Sequence, residues 1–155
     1  MAFTPEINEF RGVRSVQLNV TDIRPSEECR AAIRQEEELY ARFLRDALEL
    51  REAAALIPPR QEFVAVWRYL AANAQQGSLS DEFNVLARKI ARTANMPCSF
   101  VRTRVCLDVL EERGLIQLER SSKALFIRLT PGPGKVDLEG SAILLRLRNQ
   151  KEGDA

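Results

Sequence analysis

Between positions 88 and 104 this chain carries Arg88, Lys89, Arg92, Arg102 and Arg104 with no acidic residue among them. Guanidinium and ammonium groups gathered in this way hold phosphates, by charge and by N–H donation, and carry out no bond-breaking themselves. The net charge of the whole chain is only +1. A local patch still attracts phosphate, because charges more than about 10 Å away are largely screened at ordinary salt. Lys123, in the turn Ser121-Ser122-Lys123, adds a sixth cation, and Ser99 and Thr103 offer short hydroxyls for close contacts.

Catalytic chemistry is harder to assemble. The chain has no histidine. That excludes a Cys/His zinc site and any Ser-His-Asp or Cys-His nucleophile pair. No glycine-rich phosphate loop of the GxGxxG or GxxxxGK[ST] kind is present. The acids crowd elsewhere, as at Glu27, Glu28, Glu36, Glu37 and Glu38, where they read as solvated helix faces. Cys29, Cys98 and Cys106 are odd in number and have no close-paired spacing, so reduced and mostly buried thiols are expected. The expectation is a chain that is not an enzyme by itself, with no metal and no cofactor. An apolar content of 45% and a charged content of 29% suit a globular chain. No run approaches the ~20 apolar residues of a membrane span, and no export signal is evident. A cytoplasmic location without membrane contact is expected.

The elements that must position these residues follow from periodicity. In residues 8–23, Val16, Leu18 and Val20 alternate with Ser15, Gln17, Asn19 and Thr21, which predicts a half-buried strand. No neighbouring run looks like a partner for it. Ser26 suits an N-cap, followed by Glu27 and Glu28 in a first turn. A long helical stretch then reaches about Ala55, as one helix or two, with Ile33, Tyr40, Phe43, Leu44, Ala47, Leu48 and Leu50 on one stripe. Pro58-Pro59 ends it.

Phe63, Val66, Trp67 and Leu70 predict a helix over 60–75, with Trp67 in the core. Ser78-Leu79-Ser80 reads as a link in which Ser80 caps a helix over 81–93. A further helix runs from Pro97 or Cys98 to Arg113, and Gly114 follows it as a residue that tolerates positive φ. Residues 115–120 and 124–129 form a hairpin. Asp137 opens a short tail helix.

Three helices and a hairpin give the winged-helix order. The fold class is therefore mainly α with a small β-hairpin (α+β), a winged-helix-like C-terminal domain preceded by a strand and a long helical segment. The divisions are 1–25 for the strand, 26–57 for the helical linker and 58–150 for the winged-helix-like domain. If this domain docks DNA in the usual way, Ser99, Arg102, Thr103 and Arg104 face the major groove while the hairpin tip touches backbone. Winged helices also serve as protein-docking modules, and Arg104 can instead pair with Asp108 four residues on.

Three stretches together resemble one family. Residues 8–23, Asn-Glu-Phe-Arg-Gly-Val-Arg-Ser-Val-Gln-Leu-Asn-Val-Thr-Asp-Ile, are similar to the closing part of the oligonucleotide-binding (OB) fold of RecJ. RecJ is the single-strand-specific 5′ exonuclease of the DHH phosphoesterase family. Residues 57–70, Ile-Pro-Pro-Arg-Gln-Glu-Phe-Val-Ala-Val-Trp-Arg-Tyr-Leu, resemble the start of the extra C-terminal domain of Gram-positive-type RecJ. Residues 135–141, Lys-Val-Asp-Leu-Glu-Gly-Ser, resemble a motif near that domain's end. The catalytic Asp-His-His motifs have no counterpart here, so no catalytic residue carries over.

The resemblance implies an accessory C-terminal region of a longer 5′–3′ exonuclease, acting in DNA repair and recombination. The partners it implies are single-stranded DNA, single-strand-binding protein or the nuclease core. The competing expectation is a winged-helix DNA-binding transcription regulator. As a remnant of a sheet, residues 13–23 are expected to lack the neighbouring strands of that sheet. They would be disordered, pair with a second copy, or borrow the edge of the C-terminal hairpin.

Overall fold

A computed structural model describes residues 2–10, 12–22, 26–121, 124–130 and 136–152. The chain is α+β, and it divides into two compact units, Met1–Arg34 and Gln35–Ala155, with the boundary inside a helix.

The first unit overturns the expectation of a strand without a partner. Strand β1 (Ala2–Phe10) pairs antiparallel with β2 (Val13–Asp22), in a register that sets Ile7 opposite Val16 and Glu9 opposite Arg14. Gly12 makes the turn at φ +79°, a conformation that glycine adopts without a Cβ clash. Arg14 Nε lies 3.0 Å from Glu9 Oε2 across the ladder. The partner strand was not legible because Pro5 and the polar residues Glu6, Asn8 and Glu9 give it no clean alternation. Its strand state comes from pairing. Ile7 and Val16, which face each other across the ladder, remain 75% and 72% exposed. Ser26 caps the next helix as expected, its Oγ accepting from the Cys29 N–H at 3.2 Å.

The helical stretch is two helices, α1 (Glu27–Leu44) and α2 (Leu50–Leu56). They are split by a turn in which Asp46 takes φ +57°. The split leaves Leu44 and Leu50 exposed, although the stripe places them inward, while Phe43 is buried. Arg146 holds the break by donating to the carbonyls of Phe43 and Leu44 at 2.9 and 3.0 Å.

The second unit continues with α3 (Arg60–Asn73), β3 (Ser78–Asp81), α4 (Phe83–Thr93), α5 (Phe100–Glu112), β4 (Ile116–Arg120), β5 (Leu125–Leu129) and α6 (Ala142–Glu152). Residues 78–81 are a strand and not a link. β3 pairs antiparallel with β5, which also pairs with β4, giving the sheet order β3-β5-β4. Glu82, and not Ser80, holds the N-cap position of α4. A four-residue strand specified by pairing with the distant β5 leaves no local pattern to read.

The core gathers Phe43, Leu56, Phe63, Val66 and Leu70 with Leu86, Ile90 and the inner face of α5. Ile116 and Ile127 come from the sheet, Leu144 and Leu147 from α6. Burying each such side chain contributes about 1.5–3 kcal/mol. Gly114 follows α5 at φ +69°, as expected of a helix-ending glycine. Asp137 does not cap the tail helix. Ser141 does, its Oγ accepting from the Leu144 N–H at 3.3 Å. Glu112 completes that cap by accepting from the Ala142 and Ile143 N–H groups at 2.6 and 3.3 Å and from Ser141 Oγ at 2.5 Å. Of the three thiols only Cys106 is buried; Cys98 is exposed and Cys29 is intermediate.

Among the described residues no helix is long and apolar enough to cross a membrane.

Candidate nucleic-acid interface

α4, the turn after it and α5 position the predicted cations. Asn95 at φ +51° lets the chain reverse, a conformation that asparagine tolerates better than most residues. Ser99 then caps α5, its Oγ accepting from the Arg102 N–H at 3.3 Å.

Arg88 is exposed on α4, its guanidinium carbon 5.6 Å from the centre of the Phe100 ring. Arg92 is exposed in the last turn of the same helix and makes no ion pair among the described residues. Lys89 donates to Asp81 Oδ2 at 2.6 Å, and that hydrogen bond first of all raises its pKa. Arg102 meets Glu62 as a fork, with Nε to Oε2 at 3.0 Å and the second nitrogen to Oε1 at 2.8 Å. Burial holds the Glu62 carboxyl above its ordinary range, and the Arg102 charge only partly reverses this. Arg104 lies between two rings, 4.8 Å from the centre of Tyr40 and 4.7 Å from that of Phe83. Ser122 and Lys123 lie outside the described residues.

The structure thus brings Arg88 and Arg92 to one exposed helix face, with Arg88 also on the Phe100 ring, pairs the partly exposed Lys89 with Asp81, and engages Arg102 and Arg104 with Glu62, Tyr40 and Phe83. The expected groove-facing set of α5 is also engaged. Thr103 is buried and donates to the Ser99 carbonyl at 2.8 Å. Arg104 does not pair with Asp108; Arg120 does, at 2.6 Å, while Tyr40 donates its hydroxyl to the same carboxylate. Burial is the main reason the Asp108 carboxyl stands above its ordinary value, and it also raises Tyr40.

Glu36 was not singled out by its sequence position, yet it governs this end of α5. Its Oε2 accepts from the Val101 N–H at 2.7 Å and from Ser99 Oγ at 3.2 Å. A carboxylate there occupies the place at a helix N-terminus where a phosphate would bind. Nothing local announces it, because Glu36 sits in an acidic helical run and its partners are more than 60 residues away.

Two hollows open on this unit, the first of them beside Arg104. One of about 550 Å³ is lined by Glu37, Glu82, Phe83, Arg104, Asp108 and Arg120 among others. The other, about 540 Å³, has an apolar floor that includes Phe63, Val64, Trp67, Leu115 and Leu144, with Arg60 and Arg68 on its lining. Trp67 packs against the core, as expected, but is only half-buried because it also lines this groove. Comparison with known proteins finds no family model, no curated protein and no solved structure that matches this chain.

Proposed function

We propose that this chain is a non-catalytic accessory region of a RecJ-like single-strand-specific exonuclease, acting in the cytoplasm in DNA repair and recombination by contacting DNA or a repair partner. The observation that carries this reading is the order α3-β3-α4-α5-β4-β5 with β5 between β3 and β4. We read that order as a winged-helix arrangement, which would suit either kind of contact. The first unit adds support: a hairpin with exposed Ile7 and Val16 suits the last two strands of a larger sheet.

Contact with DNA would run through Arg88 and Arg92, and not through insertion of α5. Contact with a protein such as single-strand-binding protein would use the Trp67 groove, where an apolar floor is flanked by Arg60, Arg68 and Arg148 and by Asp137 and Glu139. The transcription-regulator reading has less support. It needs Ser99, Arg102, Thr103 and Arg104 turned to a major groove, and all four are committed inside the body.

Titration with labelled single-stranded and duplex DNA at two salt concentrations tests the reading. Salt-sensitive binding, weakened by Arg88→Ala and Arg92→Ala, is expected. Its absence would remove the DNA role and leave partner docking.

A further inference from the structure

The outer face of the three-stranded sheet is distinct from every surface discussed above. Strand alternation turns Leu125, Ile127 and Leu129 of the central strand β5 inward and Phe126 and Arg128 outward. The ladder places Ser80 and Glu119 on either side of Phe126, and Ser78 and Gln117 on either side of Arg128. Together they line a shallow recess of about 230 Å³. Phe126 is 47% exposed although the residues before and after it are buried. Among the described residues Ser80, Gln117, Glu119 and Arg128 make no side-chain hydrogen bond or ion pair. Ser78 donates its hydroxyl to the Gln75 carbonyl at 3.3 Å.

We infer that this sheet face is a binding platform for single-stranded nucleic acid, with Phe126 stacking on an unpaired base and Arg128 holding the adjacent phosphate. The inference rests on the DNA-contact reading above and names a different surface for it. Two residues along a strand put the Cα atoms of Phe126 and Arg128 about 6.6–6.8 Å apart, with both side chains on one face. Around them stand a hydroxyl, an amide and a carboxylate that can meet the edges of an unpaired base.

One exposed aromatic beside one cation, ringed by polar groups, is the pattern of single-strand readers on sheet surfaces. A dry protein interface needs a larger apolar centre than a lone phenylalanine supplies. A duplex does not offer the face of an internal base, so the platform selects single strands.

The test is anisotropy titration of the whole chain with a labelled oligothymidine and with a labelled duplex. Phe126→Ala should weaken oligothymidine binding roughly 5- to 150-fold, the range for losing one stacked base, and leave duplex binding within about twofold. Arg128→Ala should reduce the single-strand salt slope by about 0.7. Phe126→Trp should preserve binding and show quenching of the added indole at saturation.

If Phe126→Ala binds oligothymidine like the unaltered chain while Arg92→Ala does not, the platform is refuted and the DNA-contact reading survives. If Phe126→Trp binds without quenching, stacking is refuted. If the unaltered chain binds no DNA at all, both readings fall together.

Discussion

Arg102 shows how far a side chain's role depends on what stands opposite it. Its fork to Glu62 joins α5 to α3, and only 11% of the Glu62 side chain is exposed. Arg102→Ala would leave that carboxylate desolvated and without a partner. Breaking one side of a buried pair costs 3–5 kcal/mol; with Arg102 itself 30% exposed, about 2 kcal/mol is expected. Thermal unfolding would register this as a lowered Tm. The sign with pH follows from Glu62, whose carboxyl burial already holds above its ordinary value. Its charged form is disfavoured in the fold, so the loss should be full at neutral pH and shrink as acid protonates the group. An unchanged penalty across that range would contradict the role. The five closely spaced cations were visible in the sequence, but Glu62 was not, because a pairing across 40 residues has no local signature.

At the scale of elements, Glu112 ties the end of α5 to the start of α6. Burial by itself would raise its carboxyl. The Ser141 hydroxyl, the Ala142 and Ile143 N–H groups and nearby Arg113 outweigh this and hold it below its ordinary value. Its stabilisation is therefore present above the unfolded-state pKa, about 4.3, and is lost as pH falls through the lower folded value. Glu112→Ala should cost about 1–2 kcal/mol, as loss of a helix cap does, and should flatten the acid limb of a stability-versus-pH curve. Equal acid limbs in the two proteins would count against it.

Helices α3, α4 and α5 were legible because buried residues such as Val101, Val105 and Val109 recur at helical spacing. Gly114 marked its boundary for a conformational reason. β1 and β3 were not legible, since each owes its state to pairing and not to its own pattern. The outer sheet face escaped notice for the same reason, because Phe126 and Arg128 acquire meaning only once β3 and β4 flank them.

At the scale of the whole molecule, the two units differ in what holds them. The second has a continuous core, while the first is a hairpin with Ile7 and Val16 exposed. Two-stranded sheets are marginal in water. Backbone amides of residues 4–20 should therefore exchange with solvent faster, by orders of magnitude, than those of α5 when followed by hydrogen exchange. Equal protection would mean that the hairpin is stabilised by something more than its own ladder.

The central claim is that this body meets DNA with exposed cations and without inserting α5. The most direct measurement is the dependence of single-strand affinity on salt, for the unaltered chain and for Arg88→Ala/Arg92→Ala. Two phosphates lost should reduce the slope of log K against log salt by about 1.4, with the fold unchanged. An unaltered chain that shows no salt-dependent binding, or a double variant with the same slope, would contradict the account.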